Sequence, residues 1–94
     1  MILGYTLVTK MYNLEPTKTF TKTIKKLSQN EQKAVARKLV ILSQNPYHPS
    51  LRTKKVQSLD DVFECSVNMD IRILWTYRDG RIILLLEIGH HDIV

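Results

Sequence analysis

The sequence RIILLLEIGHHDIV, residues 81–94, contains the run that decides the fold. Residues 82–86 are apolar at both alternating positions, which is the pattern of a β-strand covered on both of its faces. Such a strand lies inside a sheet rather than at its edge, so we expect the rest of the chain to be arranged around it. The run leads into His90 and His91, two of the three histidines of the chain, with acidic residues on either side.

Two further strands precede this run, and their alternation predicts which residues face the core. Apolar and polar residues alternate in residues 62–68 and again in residues 71–77, the period of strands with one buried face. The predicted buried face holds Phe63, Cys65, Val67, Ile71, Ile73, Trp75 and Tyr77. A three-residue turn then pairs Phe63 with Trp75, Cys65 with Ile73, and Ser66 with Arg72. A slip of one residue would put polar groups into the core, which argues for this register.

Asp79 and Gly80 form the strongest hairpin signal in the chain, because a two-residue turn of this kind favours residues that tolerate positive φ. This turn pairs residue 78 with residue 81. The register that follows sets Trp75 opposite Leu84, Ile73 opposite Leu86, and Arg72 directly opposite Glu87. The face carrying Phe63, Ile71, Trp75 and Leu84 is then the one that we expect the helices to cover.

Two amphipathic helices come before the strands. Thr17 is placed to cap the first, and Ser28 with Glu31 has the spacing of a capping box at the start of the second. The second helix ends at Asn45, because Pro46 disfavours helical geometry in the residue before it. The two apolar stripes are Phe20, Ile24 and Leu27 in the first helix, and Val35, Leu39 and Leu42 in the second.

These elements predict an α+β fold, with an N-terminal two-helix hairpin packed on one face of a small, mainly antiparallel β-sheet. The length of 94 residues suits one domain. We assign residues 11–94 to that domain. Residues 1–10 are either an N-terminal extension, with Met11 as an alternative start, or an edge strand, since Tyr, Thr and Val in this segment favour pleated structure.

Charge is divided unevenly along the chain, whose net charge is +5. Residues 1–55 contain eleven Lys or Arg and two acidic residues, whereas residues 56–94 contain three basic and seven acidic residues. The basic half is expected to meet phosphate or an acidic protein, although a solvated helix surface explains scattered lysines equally well. The single cysteine, Cys65, excludes an internal disulfide and is expected to be a small buried hydrophobe.

Neither a membrane span nor a secretory signal is expected from the sequence. No window approaches the ~20 apolar residues that a span requires, and the N-terminus lacks the features of a cleaved leader. We therefore expect a cytoplasmic protein. Two histidines and Asp92 suggest a metal site at first, but adjacent side chains on an extended chain point apart, so we expect neither metal nor cofactor.

The predicted pairings place Glu64, Ser66, Arg72 and Glu87 on one face of the sheet, and His91 shares the parity of Glu87. Such a face is a candidate phosphodiester site, because RNA cleavage by a 2′-hydroxyl needs a base, cations near the phosphate, and an acid for the leaving oxygen. The alternatives are structural: Arg72 and Glu87 as a cross-strand ion pair, and Glu64 as a solvated strand residue. His90, of opposite parity, is expected to be structural or exposed.

The order of elements and several short motifs together resemble the RelE/ParE superfamily of toxins from bacterial toxin–antitoxin modules. The likeness covers residues 11–94. The motifs are Asn45-Pro46, His48-Pro49-Ser50-Leu51-Arg52, Lys54-Lys55-Val56, Ile71-Arg72-Ile73-Leu74 and Gly89-His90-His91-Asp92. Within the superfamily, the sequence looks closest to RelE-type members, which cleave messenger RNA in the ribosomal A site and are neutralised by a small antitoxin.

The resemblance implies roles for individual residues. Arg72 matches the strand arginine used on phosphate, His91 matches the general acid, and Lys54 stands where relatives have a polar catalytic residue. Glu64 and Ser66 depart from the lysine-rich strand of RelE, and relatives commonly carry an aromatic residue after the histidine segment where this sequence has Val94 as its last residue. The missing aromatic predicts weaker stacking on a base, an interaction worth about 1–3 kcal/mol.

The resulting hypothesis is a ribosome-dependent messenger RNA endoribonuclease toxin, with a cognate antitoxin, the ribosome and messenger RNA as partners. The candidate catalytic residues are His91 and Arg72, with Glu64 or Glu87 as base. The candidate RNA-binding residues are Lys54, Lys55, Arg52, His48, Ser66, Lys22 and Lys26. The alternatives are a ParE-like inhibitor of DNA gyrase without nuclease chemistry and a catalytically weak relative that binds only an antitoxin.

Overall fold

The computed structural model describes residues 11–90, and its elements match the predicted α+β order. The expectations for residues 1–10 and for His91 lie outside these residues. The described chain forms β1 (Asn13–Pro16), α1 (Lys18–Ile24), α2 (Gln29–Gln44), a 3-10 turn (Pro49–Leu51), β2 (Lys54–Lys55), β3 (Phe63–Ser66), β4 (Ile71–Asp79) and β5 (Ile82–His90). None of the helices within residues 11–90 is long and apolar enough to cross a membrane.

The five strands form one sheet in the order β1-β5-β4-β3-β2. β5 pairs with β1 in parallel and with β4 in the antiparallel sense, and the remaining neighbours are antiparallel. The apolar run of residues 82–86 therefore lies in an interior strand, as predicted, and the sheet is mainly antiparallel. The helical hairpin follows β1 in the chain and leads from that edge strand to β2 at the opposite edge of the sheet.

Both helices begin at the predicted residues. The side chain of Thr17 accepts a hydrogen bond from the Phe20 amide at 3.1 Å. At the start of α2, the Ser28 hydroxyl accepts from the Glu31 amide and the Glu31 carboxylate accepts from the Ser28 amide, which completes the capping box. α2 ends at Asn45, where the following proline prevents its continuation.

The helices cover one face of the sheet and bury its apolar residues. Val35 and Leu42 from α2 and Phe20 from α1 join the strand residues in a single core cluster, in which Ile73, Trp75 and Cys65 are fully buried. Phe63 stacks on Trp75 with ring centroids 4.8 Å apart. This burial leaves the opposite face of the sheet free of helices, and that face carries the polar residues of β3 and β4.

The structure confirms one predicted register and corrects the other. Phe63 lies opposite Trp75, Cys65 opposite Ile73, and Ser66 opposite Arg72. On β5, however, Trp75 faces Leu85, Ile73 faces Ile88, and Arg72 faces Gly89. The predictions that Trp75, Ile73 and Arg72 lie opposite Leu84, Leu86 and Glu87 were therefore wrong.

The difference begins at the turn, which consists of Gly80 and Arg81, so Asp79 pairs with Ile82 and the predicted pairing of residue 78 with residue 81 was wrong. Two irregularities in the β4–β5 ladder then change the facing of the residues between them. The first lies between Tyr77 and Asp79, and the second lies between Leu74 and Trp75, where Leu86 has no partner on β4. Each extra residue shifts the register by one and reverses the facing of the residues beyond it. As a result Leu85, which is 2% exposed, fills the core position predicted for Leu84.

Thr17 stabilises the second of these irregularities. Its hydroxyl lies 2.8 Å from the carbonyl oxygen of Leu85 and 3.1 Å from that of Leu86, and its backbone amide also donates to Leu85. β1 pairs with β5 only as far as Leu85. Beyond that residue, α1 rather than β1 lies along the edge of β5. Further along, the amide of Ile88 donates to the Thr23 hydroxyl at 3.2 Å.

Candidate functional site

A small cleft opens on the face of the sheet that the helices leave uncovered. It has a volume of about 120 Å³. The residues that line it are Arg52, Lys54, Glu64, Ser66 and Arg72. All five were candidate residues from the sequence, and they come from the turn after α2, from β2, from β3 and from β4. We call this the Arg72 cleft.

Strand register explains why these residues meet. Directly paired residues in a sheet project to the same side, so Ser66, Arg72 and Gly89 form one row across three strands. The neighbouring row runs from Lys54 through Glu64 and Leu74 to Glu87. The two rows lie two residues apart along each strand, which puts Glu64 diagonally next to Arg72.

Backbone carbonyls and a carboxylate hold the guanidinium of Arg72. Its Nη1 atom donates to the carbonyl oxygens of Asn68 at 2.8 Å and Ile71 at 3.2 Å. Its Nε atom lies 3.5 Å from Oε2 of Glu64, in a pair whose side chains are only 20% and 14% exposed. Two donors on Nη2 are left without a partner among residues 11–90, so the guanidinium is fixed in position and still able to bind an anion.

Arg52 enters the cleft from an unusual backbone conformation. It follows the 3-10 turn with φ 52° and ψ 43°, the left-handed region. Residues with a Cβ pay about 1–2 kcal/mol for this conformation, whereas glycine adopts it freely. A charged residue at this position is therefore costly for the backbone and contributes a second cation to the cleft.

The cleft carries three cations and one carboxylate. Lys54 is the direct partner of Glu64 across β2 and β3, so its ammonium group belongs to the same side of the sheet. Together with Arg52 and Arg72 it gives the cleft an excess of positive charge around Glu64. This is a surface suited to phosphate, with a carboxylate next to the position that the phosphate would occupy.

Comparison with solved structures places this arrangement on a known fold. An archaeal RelE–RelB complex from Pyrococcus horikoshii OT3 matches with a TM-score of 0.70 and 16% identity, over 89% of this chain and 99% of that chain. The RelBE2 toxin–antitoxin complex from Mycobacterium tuberculosis matches with a TM-score of 0.71 and 19% identity, over 87% and 93%. The chain has the fold of the RelE/ParE toxins.

A YoeB/ParE toxin from Agrobacterium tumefaciens shares this RelE-like fold at a TM-score of 0.71 and only 7% identity, over 84% of this chain and 98% of that chain. No family model matches the sequence, and no curated protein matches it. The similarity to these solved structures is therefore one of fold, and it confirms the RelE-like fold that the resemblance predicted.

Glu87 lies in a second cleft of the RelE-like fold. This cleft has a volume of about 250 Å³ and lies between α1 and the end of β5. The residues that line it are Thr23, Lys26, Leu27, Glu87, Ile88, Gly89 and His90. Glu87 lies on the predicted side of the sheet, but it is opposite Leu74 rather than Arg72. Of the two candidate bases, only Glu64 lines the Arg72 cleft.

The remaining candidate residues lie elsewhere. Lys22 lines a groove along α1 together with Lys18 and Lys25. Lys55 pairs with Phe63, which faces the core side, so it projects away from the Arg72 cleft. His48 caps the 3-10 turn, with its Nδ1 atom accepting from the Ser50 amide at 3.1 Å.

His90 faces the helices, as its parity predicted. Its Nε2 atom lies 3.7 Å from Oε2 of Glu31 and 3.5 Å from Oδ2 of Asp70, contacts that become ion pairs when the imidazole is protonated. Among residues 11–90, no three His, Cys, Asp or Glu side chains are grouped to hold a metal ion.

Two contributors to the site were not anticipated. Asn68 provides the carbonyl that holds Arg72, and its own side chain closes the turn by accepting from the amides of Asp70 and Ile71, both at 2.8 Å. Gly89 faces Arg72 across the β4–β5 ladder. The turn residue Asn68 had a signal in the sequence, whereas Gly89 depends on the irregular register.

Proposed function

We propose that the chain is the toxin of a type II toxin–antitoxin system and that the Arg72 cleft cleaves messenger RNA. The observation that carries this proposal is the Arg72 cleft itself, in which Arg52, Lys54 and Arg72 surround Glu64 on the open face of a RelE-like sheet. The excess of positive charge around a partly shielded carboxylate suits the binding and cleavage of a phosphodiester.

The residues divide the chemistry of RNA cleavage among them. Glu64 takes the proton from a ribose 2′-hydroxyl, whose oxygen attacks the adjacent phosphorus. Arg72, Arg52 and Lys54 bind the phosphate oxygens as negative charge develops on them. The bond from phosphorus to the 5′-oxygen breaks, and His91 in its protonated form gives that oxygen a proton. The products are a 2′,3′-cyclic phosphate and a free 5′-hydroxyl.

The choice of Glu64 over Glu87 as base follows from position. Glu64 shares the Arg72 cleft and lies next to the guanidinium, whereas Glu87 lines the cleft on the other side of β5. A base must reach the hydroxyl beside the phosphate that the cations hold. Only Glu64 meets this requirement within the Arg72 cleft.

The proposed partners are a cognate antitoxin, the ribosome and its messenger RNA. The Pyrococcus horikoshii and Mycobacterium tuberculosis structures are toxin–antitoxin complexes, which supports an antitoxin partner for this chain. Lys22, Lys26 and the basic residues of the Arg72 cleft support contact with RNA, because lysine and arginine side chains neutralise backbone phosphates.

A second candidate function is ParE-like inhibition of DNA gyrase by contact alone. The Arg72–Glu64 ion pair favours this second function, because the Glu64 carboxylate neutralises the charge that Arg72 would otherwise offer to phosphate. Likeness of fold to the YoeB/ParE toxin is compatible with either function.

The two functions are separated by adding the full chain to a translating extract and mapping messenger RNA 5′ ends, with a gyrase supercoiling assay in parallel. New ends with unaffected supercoiling are expected. Inhibited supercoiling without new ends would support the second candidate and contradict the first.

A further inference from the structure

Arg72 stands between two small residues. Its direct partners across the ladders are Ser66 on β3 and Gly89 on β5. The next row of the sheet, by contrast, holds Glu64, Leu74 and Glu87. The guanidinium therefore lies in a trough that runs across the strands. The larger side chains of Glu64, Leu74 and Glu87 form one side of this trough.

Gly89 connects this trough to the second cleft. It is the β5 partner of Arg72, and it also lines the cavity of about 250 Å³ between α1 and the end of β5. Any larger residue at this position would project a side chain into the trough, because residue 89 has the same facing as Arg72. With glycine at this position, no side chain stands between Arg72 and the second cleft along this row.

The second cleft exists because α1 replaces β1 along the edge of β5. β1 ends its pairing at Leu85, and beyond it the Ile88 amide donates to the hydroxyl of Thr23 near the end of α1. Lys26, one residue after the cap of α1, is thereby brought beside Glu87 and Gly89.

Lys26 is the lysine of this cleft, and its helical neighbours face elsewhere. Lys25 lines the separate groove along α1, with Lys18 and Lys22. The imidazole of His90 is turned towards Glu31 and Asp70. The positive charge of the second cleft is therefore carried by Lys26.

We propose that the trough is a path for single-stranded RNA, which crosses the sheet from the Arg72 cleft over Gly89 to a second phosphate subsite at Lys26. The inference rests on the proposed function, since it extends the RNA held at Arg72. From β2 to β5 the path crosses three strand spacings, about 14 Å, which exceeds the ~3.4 Å rise per nucleotide of a stacked strand. The path therefore holds several nucleotides.

The first test measures the binding of fluorescent 2′-O-methyl uridine oligonucleotides, which lack the attacking hydroxyl, by anisotropy at low salt. The full-length wild-type chain should bind a hexanucleotide more tightly than a dinucleotide. Lys26→Gln should weaken hexanucleotide binding about threefold to fivefold, the size of one exposed ion pair, without affecting the dinucleotide. For Lys26→Gln, the slope of the logarithm of the hexanucleotide association constant against the logarithm of salt concentration should be smaller in magnitude by about 0.7.

Lys25→Gln is the matched control, because it removes the same charge from the adjacent position but from a different groove. It should leave hexanucleotide affinity and salt slope unchanged. Equal effects of Lys25→Gln and Lys26→Gln would overturn the subsite, since they would show a diffuse attraction to α1.

The second test fills the trough. Gly89→Val should weaken hexanucleotide binding while the dinucleotide still binds. Glycines with positive φ are absent from residues 11–90, so the backbone at residue 89 is one that residues with a Cβ adopt. Gly80→Val at the far end of β4 and β5 is the control, because a Cβ there meets no heavy atom within 4 Å. Thermal unfolding of both variants by circular dichroism establishes that each is folded.

The outcomes distinguish the path from the proposed function. A wild type that binds the hexanucleotide no more tightly than the dinucleotide would overturn the path and leave the Arg72 cleft intact. Failure to bind either oligonucleotide would overturn both. Undiminished hexanucleotide binding by folded Gly89→Val would overturn the route over Gly89.

Discussion

The Nε atom of Arg72 lies 3.5 Å from Oε2 of Glu64 on the neighbouring strand, and both side chains are largely shielded from solvent. Arg72 is directly opposite Ser66, so Glu64 reaches it along the diagonal of the ladder. This geometry puts a carboxylate beside the guanidinium that we propose to bind phosphate. In the proposed reaction, the arginine holds the substrate and the carboxylate accepts its proton.

Replacing Glu64 by glutamine should separate binding from catalysis. We expect Glu64→Gln to cleave RNA about 100-fold more slowly or worse, because general-base catalysis contributes at least this factor. Binding of a non-cleavable oligonucleotide should be unchanged or tighter, since a negative charge leaves the Arg72 cleft. Rates and affinities are compared with those of Glu87→Gln, which should cleave like the wild type. Loss of cleavage in Glu87→Gln but not in Glu64→Gln would assign the base to Glu87.

Arg52 should contribute to RNA binding at a cost to the backbone. Arg52→Gly relieves the left-handed strain of about 1–2 kcal/mol, so its free energy of unfolding in urea should be no lower than that of the wild type. Oligonucleotide binding should nevertheless weaken, because one cation is lost. Arg52→Ala, which loses the charge but keeps the strain, should bind as weakly and unfold more easily than Arg52→Gly. Unchanged RNA affinity in both variants would remove Arg52 from the binding site.

Thr17 should be important for stability through its contacts at the end of β1. Thr17→Ala removes both the cap of α1 and the hydroxyl donated to the carbonyls of Leu85 and Leu86. We expect the free energy of unfolding to fall by about 1–2 kcal/mol, measured by urea denaturation. Thr19→Ala on the exposed side of the same helix should change it by less than about 0.5 kcal/mol. Equal effects would show that helix propensity alone explains the loss.

Cys65 should make stability fall at alkaline pH. Burial raises the pKa of its thiol from 9.0 to about 12. Above pH 9 the unfolded thiol therefore loses its proton while the folded thiol keeps it, and the free energy of unfolding falls by about 1.4 kcal/mol per pH unit. The measurement compares urea unfolding of the wild type and Cys65→Ala between pH 8 and pH 10.5. A constant difference between the two across this range would contradict the prediction.

The thiol of Cys65 should also be unreactive in the folded protein. Its side chain is fully buried, and only the thiolate attacks disulfide reagents. The native protein should therefore react with such a reagent at pH 8 only as fast as it unfolds, whereas the urea-unfolded chain should react at once.

The sequence was informative wherever local chemistry determined structure. The caps at Thr17 and Ser28, the end of α2 at Asn45, and the register of the short turn at residues 68–70 were all correct. Alternation along β3 and β4 was sufficient to bring Glu64, Ser66 and Arg72 to one face. Arg52 and Lys54, which also line the Arg72 cleft, were candidates from the preceding basic segment, but the alternation did not distinguish them from Lys55 and His48.

The register of β4 against β5 could not be read in the same way. The hairpin signal at Asp79 and Gly80 located the turn only to within one residue, because the turn consists of Gly80 and Arg81. The unpaired residue at Leu86 depends on Thr17, which is 69 residues away in the chain. No local pattern reveals such a contact. The predicted pairing of Arg72 with Glu87 was consequently wrong, although the two irregularities together left Glu87 on the predicted face of the sheet.

The central claim is that Arg72 binds the phosphate at which messenger RNA is cut. Its most direct test maps messenger RNA 5′ ends in a translating extract supplied with the wild type, Arg72→Ala or Arg78→Ala. Arg78 lies near the other end of β4 and pairs with Glu15 at 2.8 Å, so it controls for the loss of one strand arginine. We predict cuts with the wild type and Arg78→Ala and at least about 100-fold fewer with Arg72→Ala. Undiminished cleavage by Arg72→Ala would contradict the claim.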